Sequence, residues 1–447
     1  MWATDNSTTS TTPPSSRLSA MNLRTVFAAS IGNVLEIYDF IAFGIFAVPI
    51  SKSFFPAGSE FASLMLTFVT FAMGFLVRPI GAIVLGRYAD RAGRKKALSF
   101  TLLMMAAGTL VPAFCPTYAT IGLAAPVIVL LGRLLQGFSA GGEIGGVVAM
   151  LVESAPATRK GFFASFQQAS QGGGVLIAGL IGLLLTHLFS EAQINGGAWR
   201  IAFLFGLLIA PVGWYVRRRV DETPLFNAAT PTPTPSSAAA AQSASWSAMF
   251  IVHARPLLAG VGIMVFWTIA TYVSNYFTTY SVRELHLSLF DSYLGQISYG
   301  VTMIIASPAV GLISDRIGAR KPMLFGAAVT ALIAYPLFYL LAHHANVGSL
   351  IFVQVTIAFL LACYASCASR VMSDLFPIDF RASGVGFSYA VGVTVFGGFT
   401  PLLVTSLIGF TGDKLTVGLY LSAAAVVSCV ALAMLRQRDP LLHSAQS

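Results

Sequence analysis

Twelve apolar runs, each near or above the roughly 20 residues a helix needs to cross a bilayer, dominate this sequence. They fall at about 25–50, 61–86, 97–114, 120–151, 161–188, 199–216, 256–282, 291–313, 322–342, 347–374, 382–409 and 415–436. Hydrocarbon offers no water to backbone N–H and C=O groups, and a helix bonds its own. The chain is therefore expected to be an all-α membrane protein of twelve transmembrane helices. Its 10% of charged residues, against about 25% in a soluble domain, agrees. No stretch between the runs is long enough for a soluble catalytic domain.

The net charge of +9 raises nucleic acid as a partner, but the basic residues sit in short loops between apolar runs. One set of loops holds Arg87, Arg91, Arg94 to Lys96, Arg159, Lys160, Arg217 to Arg219, Arg255, Arg316, Arg320, Lys321, Arg381, Arg436 and Arg438. The opposite set holds only Lys52, Arg200, Arg283 and Lys414. That asymmetry is the positive-inside pattern, and it puts the basic loops and both termini in the cytoplasm. The partners expected are a lipid bilayer, a small anionic metabolite and protons, with no nucleic acid. The four cysteines lie in or near apolar segments without a histidine partner, so no metal site and no cofactor are expected. The Ser/Thr-rich start has no apolar h-region of a signal peptide.

A Pro/Ala/Ser segment, Asn227 to Ser245, cannot form a core and divides the spans into two sets of six. The organisation expected is a tail over 1–22, a six-helix bundle over 23–218, a linker over 219–254, a second bundle over 255–436 and a tail over 437–447. The bundles repeat each other. Gly86-Arg-Tyr-Ala-Asp90-Arg91-Ala-Gly93-Arg94-Lys95 follows span two, and Gly311-Leu-Ile-Ser-Asp315-Arg316-Ile-Gly318-Ala-Arg320-Lys321 follows span eight. A second pair of loops, Glu153 to Gly161 and Asp374 to Arg381, follows spans four and ten. Internal repeats of this kind are a transporter architecture.

These motifs resemble the major facilitator superfamily, whose signature loop is similar to Gly86 to Lys95 and whose second motif is similar to Arg133-Leu-Leu-Gln136-Gly137. More narrowly, Gly32 to Phe40, Arg78-Pro79-Ile-Gly81 and Gly141-Gly142-Glu143 resemble the metabolite–proton symporter family. Phe55 to Phe68, Gly122 to Pro126, Phe396 to Pro401 and Thr411 to Lys414 look most like its bacterial citrate–proton and tricarballylate–proton members. The resemblance implies two pseudo-symmetric six-helix bundles, a monomer and a bacterial inner-membrane location.

Ionisable residues within spans are costly, and as a rule functional. Glu36 and Asp39 lie three residues apart on one face of span one, and Glu143 lies in span four. All three are candidates for proton binding, with an ion pair or a packing hydrogen bond as the plainer alternative. Arg78 and Arg133 are the candidate carboxylate ligands, since a guanidinium holds a carboxylate through two parallel hydrogen bonds. Gln136, Gln167, Gln168, Tyr38, Asn275, Tyr276 and Tyr364 are candidate cavity-lining groups. Arg370 is expected either to pair with Asp374 four residues on or to contact substrate from the second half. Asp90, Arg91, Arg94, Glu153, Asp315, Arg316 and Asp374 form a candidate gate. In it Asp90 and Asp315 each cap a helix N-terminus of the opposite half, Glu153 pairs with Arg91 or Arg94, and Asp374 with Arg316.

The activity expected is proton-coupled uptake of a di- or tricarboxylate by alternating access. Each negative charge carried inward against 100 mV costs about 2.3 kcal/mol. A trianion therefore needs about three protons, or partial protonation, to accompany it. Other small metabolites, namely α-ketoglutarate, shikimate, itaconate, proline or betaine, are the alternatives, followed by a non-transporting sensor. An enzyme is not expected: the six histidines are scattered, and no GxxxxGK[ST] nucleotide loop occurs.

Overall fold

The computed structural model describes residues 30, 33–34, 36–92, 94–141, 155–207, 211, 254–376 and 381–436, with the backbone alone at 86–87, 89–92, 94–99, 102, 157 and 381–383. Every regular element among them is helical. Nine helices among the described residues are long and apolar enough to cross a membrane. The first span is a broken pair, α1 (Glu36–Ile45) and α2 (Ala47–Phe54), meeting at 70°. The break has a local cause. Pro49 has no N–H for the carbonyl of Ile45, and Phe46 leaves helical geometry with φ −95° and ψ 21°.

The second span is α3 (Glu60–Leu76) followed by α4 (Arg78–Ala92), and the third is α5 (Arg94–Phe114). A one-turn helix, Tyr118–Ile121, precedes α6 (Ala124–Gly141), so the fourth span begins later than the apolar run suggested. Then come α7 (Lys160–Leu188) and α8 over 200–207. The second half contains α9 (Ala254–Arg283), α10 (Leu289–Ile317), α11 (Arg320–His343) and α12 (Val347–Asp374). The eleventh span is α13 (Arg381–Gly392), a π-helical stretch Val393–Gly398 and α14 (Thr400–Thr411); α15 (Thr416–Arg436) is the twelfth. The linker and both tails lie outside the described residues.

The two halves meet along α7 and α10, which run antiparallel. A Cβ at Gly172 would stand 3.0 Å from the carbonyl oxygen of Gly300, and one at Gly300 would stand 2.8 Å from that of Gly172. Gly161 and Gly311 form the same reciprocal contact nearer the end of α10, so the seam is backbone against backbone over three helical turns. Small residues permit such an approach where lipid gives no hydrophobic drive for helix association.

A second inter-half contact starts from a proline. Pro79 cannot donate to the carbonyl of Phe75, and Thr394 Oγ1 of the π-helical stretch donates to that carbonyl at 2.8 Å. On the same flank Ser406 Oγ donates to the Met65 sulfur at 3.7 Å.

Candidate functional site: two buried arginines, an acid and a closed end

α3 and α6 pack closely enough that a Cβ on either Gly74 or Gly137 would meet the other helix's backbone, a carbonyl of Arg133 in one case and of Gly74 in the other. That approach brings Arg78, at the start of α4, and Arg133, on α6, both against α1. Phe40 of α1 meets both: its ring centroid is 4.3 Å from the Arg78 guanidinium carbon and 6.0 Å from that of Arg133. Arg78 also stacks at 4.3 Å on Phe75, and Arg133 at 3.8 Å on Phe43. Such cation–π contacts stabilise a desolvated guanidinium by up to about 2 kcal/mol each.

Arg133 is 1% exposed. Its Nη1 stands 3.9 Å from Asp39 Oδ2, yet none of its three nitrogens has a hydrogen-bond partner. Asp39 instead accepts from Gln136 Nε2, which also donates to Thr109 Oγ1 at 3.2 Å. The pair is held by charge and burial, and the hydrogen-bonding capacity of Arg133 is unspent. A buried unpaired donor costs about 1–3 kcal/mol, more when charged, so this cluster is poised to bind an acceptor.

Glu36 is buried on the same helix, within electrostatic reach of Tyr272 and Tyr389 of the second half. Arg78 reaches the same two tyrosines. They line a narrow cavity between the halves, together with Ile37, Phe40, Gln171, Trp267, Asn275 and Tyr299. Gln171 and Tyr389 both line it, and Asn275 Oδ1 has no hydrogen-bond partner. Gln167 lies at the junction as well: its carbonyl accepts from Asn33 Nδ2 at 3.2 Å and its Oε1 from Ser369 Oγ at 3.4 Å. Gln168 is fully buried with neither amide atom bonded.

Three tyrosines proposed from the sequence are occupied elsewhere. Tyr38 donates to the carbonyl of Ala202 at 2.6 Å, and Tyr364 to that of Ile263 at 2.9 Å, each inside its own half. The Tyr276 hydroxyl accepts from Thr405 at 3.1 Å and its ring packs on Phe68. Tyr272, Trp267 and Thr109 were not singled out by the sequence reading. Tyr272 shares a helix face with Asn275, three residues on, and that spacing was the available signal.

At the end of the bundle where α7 begins, Asp315 holds the helix start. Its Oδ1 accepts from the amide of Gly161 at 2.7 Å, and its Oδ2 from that of Phe162 at 3.0 Å. First-turn amides have no intrahelical acceptor, and the helix dipole favours an anion there. Arg370 of α12 donates to the same carboxylate at 3.1 Å. The ion pair of Arg370 with Asp315 is thus tertiary, where a local one with Asp374 was expected. Arg316 and Asp374 are exposed at this end. Glu143, Glu153 and the side chains of Asp90, Arg91 and Arg94 lie outside the described residues.

Comparison with known proteins agrees along the chain. The family described as "Sugar (and other) transporter" matches residues 25–234, and that described as "Major Facilitator Superfamily" matches residues 284–447. The citrate-proton symporter of Klebsiella pneumoniae is 38% identical over 415 residues, covering 93% of this chain and 92% of the relative. That of Salmonella typhi is 40% identical over 425 residues, covering 95% and 96%. The alpha-ketoglutarate permease of Escherichia coli (strain K12) is 32% identical, covering 96% and 98%. The solved structure of the proton:xylose symporter XylE bound to 6-bromo-6-deoxy-D-glucose superposes with a TM-score of 0.73 at 16% identity, covering 93% of this chain and 96% of that one. At that identity the likeness shows the fold.

Proposed function

Since the chain belongs to the major facilitator superfamily, we propose that it is a proton-coupled symporter that imports a di- or tricarboxylate, of citrate or tricarballylate type, by alternating access. The observation that carries this reading is Arg133: a buried guanidinium 3.9 Å from Asp39 with no hydrogen bond spent on it. Citrate-proton symport by two relatives of about 40% identity supports the substrate class. A dicarboxylate such as that of the permease relative is the second reading.

The coupling follows from one exchange of partners. A substrate carboxylate takes the Arg133 guanidinium through two parallel hydrogen bonds. Asp39 then sits buried beside a neutralised cation, and a buried carboxyl in that position binds a proton. Anion and proton each favour the other's binding, which is linkage between two sites. Release of the anion on the far side restores the ion pair and expels the proton. Glu36 and Arg78, a further buried acid and base among the described residues of this half, are assigned a second proton and the second carboxylate.

By the positive-inside rule the end closed by Asp315 is cytoplasmic. There Asp315 of α10, held by Arg370 of α12 in its own half, ties α7 of the first half to the second, and opening toward the cytoplasm breaks the two bonds to α7. Asp90 occupies the equivalent loop position in the first half and is assigned the symmetric role.

Substrate-driven proton movement in proteoliposomes tests the reading, with citrate, tricarballylate, α-ketoglutarate, shikimate and betaine offered in turn. External alkalinisation with the carboxylates, lost in Arg133→Ala, is the expected result. Proton flux driven by betaine and by none of the carboxylates would overturn the substrate class.

A further inference from the structure

Among the described residues, Phe40 alone has a ring that both lines the cavity and stands over the two buried guanidiniums. Its ring lines the cavity between the halves, whereas neither buried arginine does; Arg78 is within electrostatic reach of the cavity residues Tyr272 and Tyr389, and Arg133, 1% exposed, lies beside Asp39 instead. The same ring touches both buried guanidiniums, at 4.3 Å from Arg78 and 6.0 Å from Arg133, and the sum of those distances bounds the separation of the two cations. One small molecule carrying two carboxylates therefore has both within reach, provided the ring is not in the way. The three nitrogens of Arg133 have no hydrogen-bond partner behind it.

We propose that Phe40 is the selectivity element of the carrier, a movable aromatic partition that joins Arg133 to the cavity only for a ligand bearing two or more carboxylates. This rests on the reading of Arg133 as a carboxylate ligand. Swinging the ring forfeits its contacts with both cations. A monocarboxylate is held by the field of Arg78 at Tyr272 and Tyr389, which line the cavity, and leaves the partition shut. A second carboxylate bonding Arg133 recovers what the opening costs, so the opening and the second contact occur together. No covalent or redox step is involved.

The partition makes a differential prediction that a packing role does not. Binding is measured on the purified full chain, by displacement of labelled citrate and by ligand-induced thermal shift, so variants that bind without transporting remain readable. Phe40→Ala, which removes the partition, is expected to bind tricarballylate and citrate about ten-fold tighter, with acetate and propionate moving less than about two-fold. Phe40→Trp, a larger ring, is expected to weaken the polycarboxylates by a similar factor, again sparing the monocarboxylates. Phe40→Leu serves as the first variant's replacement should Phe40→Ala fail to fold.

Equal shifts for mono- and polycarboxylates, or no shift for either, overturn the partition. Arg133→Gln separates this from the reading beneath it. If Arg133→Gln loses polycarboxylate affinity while the Phe40 variants move all ligands alike, only the partition falls. If Arg133→Gln binds tricarboxylates unchanged, the role of Arg133 falls and the partition with it.

Discussion

The Arg133 guanidinium stands 3.9 Å from the Asp39 carboxylate, at the centre of the first half, and gives it no hydrogen bond. Each is within about 5% of complete burial, so each is the other's main source of neutrality. Breaking a buried pair from one side leaves a bare charge and costs about 3–5 kcal/mol, whereas removing both partners costs far less. Asp39→Asn and Arg133→Gln are therefore each expected to lower the melting temperature of the detergent-solubilised protein, and the double variant to recover most of the loss. Equal and additive losses in scanning fluorimetry would argue against a coupled pair. In transport, Asp39→Asn is expected to retain citrate exchange across the membrane while losing proton-driven accumulation by more than about ten-fold, a difference of about 1.4 kcal/mol or more.

The gate gives a second expectation. Asp315 takes two backbone amides of α7 and one guanidinium of α12. Hydrogen bonds to a charged group contribute about 1.5–3 kcal/mol each at most. Asp315→Asn is expected to shift the carrier toward the inward-open state by roughly ten-fold or more, and Arg370→Gln by less, since the α7 amides stay capped. A cysteine introduced by Phe162→Cys, labelled from the cytoplasmic side, reads the shift as a faster rate. Unchanged labelling in Asp315→Asn would remove this residue from the gate.

Glycine spacing gives a third. A Leu in place of Gly172 or Gly300 drives a side chain into the opposite backbone, and overpacking of that kind costs about 1–3 kcal/mol. Loss of transport with lowered stability is expected for both. Gly44→Ala is the control, because a Cβ there meets nothing within 4 Å; expression and melting should match the parent.

The tyrosines divide by the destination of their hydroxyls. Tyr38→Phe and Tyr364→Phe each remove a hydrogen bond to a backbone carbonyl, worth about 1 kcal/mol of stability, and should leave KM for citrate unchanged. Tyr389→Phe removes a hydroxyl that lines the cavity beside Arg78 and Glu36 and should raise KM. Initial-rate uptake across a citrate series distinguishes the two groups.

The fold was legible because lipid imposes one rule on every span, and the runs from 61–86 to 415–436 announce it without tertiary information. Asp39 and Arg133 were legible for a related reason: few charges lie within spans, and each one demands a partner. What the sequence could not supply was lateral packing. That Phe40 touches both arginines depends on how closely α3 and α6 approach at Gly74 and Gly137, and no pattern in α1 encodes it. Arg370 misled for the opposite reason. A local partner stood four residues away, but the packing of α12 on α10 put the carboxylate of Asp315 within 3.1 Å. Tyr38 and Tyr364 misled because a tyrosine in a span reads as a polar wall when its hydroxyl has only a neighbouring carbonyl to reach.

The Asp315 contact also sets a speed. A bond that joins the halves in one state must be undone in every cycle, so its strength adds to the barrier for turnover, with each 1.36 kcal/mol slowing the step ten-fold. The Arg370 side chain is 28% exposed, while that of Asp315 is 8%. Arg370 and Asp315 belong to the same half, so the guanidinium stays with the carboxylate as the α7 amides leave, and its exposed side keeps water within reach. A carboxylate that keeps its cation through the cycle is never left bare when the helix start departs, a protection that Asp39 gains only by taking a proton when an arriving anion claims Arg133.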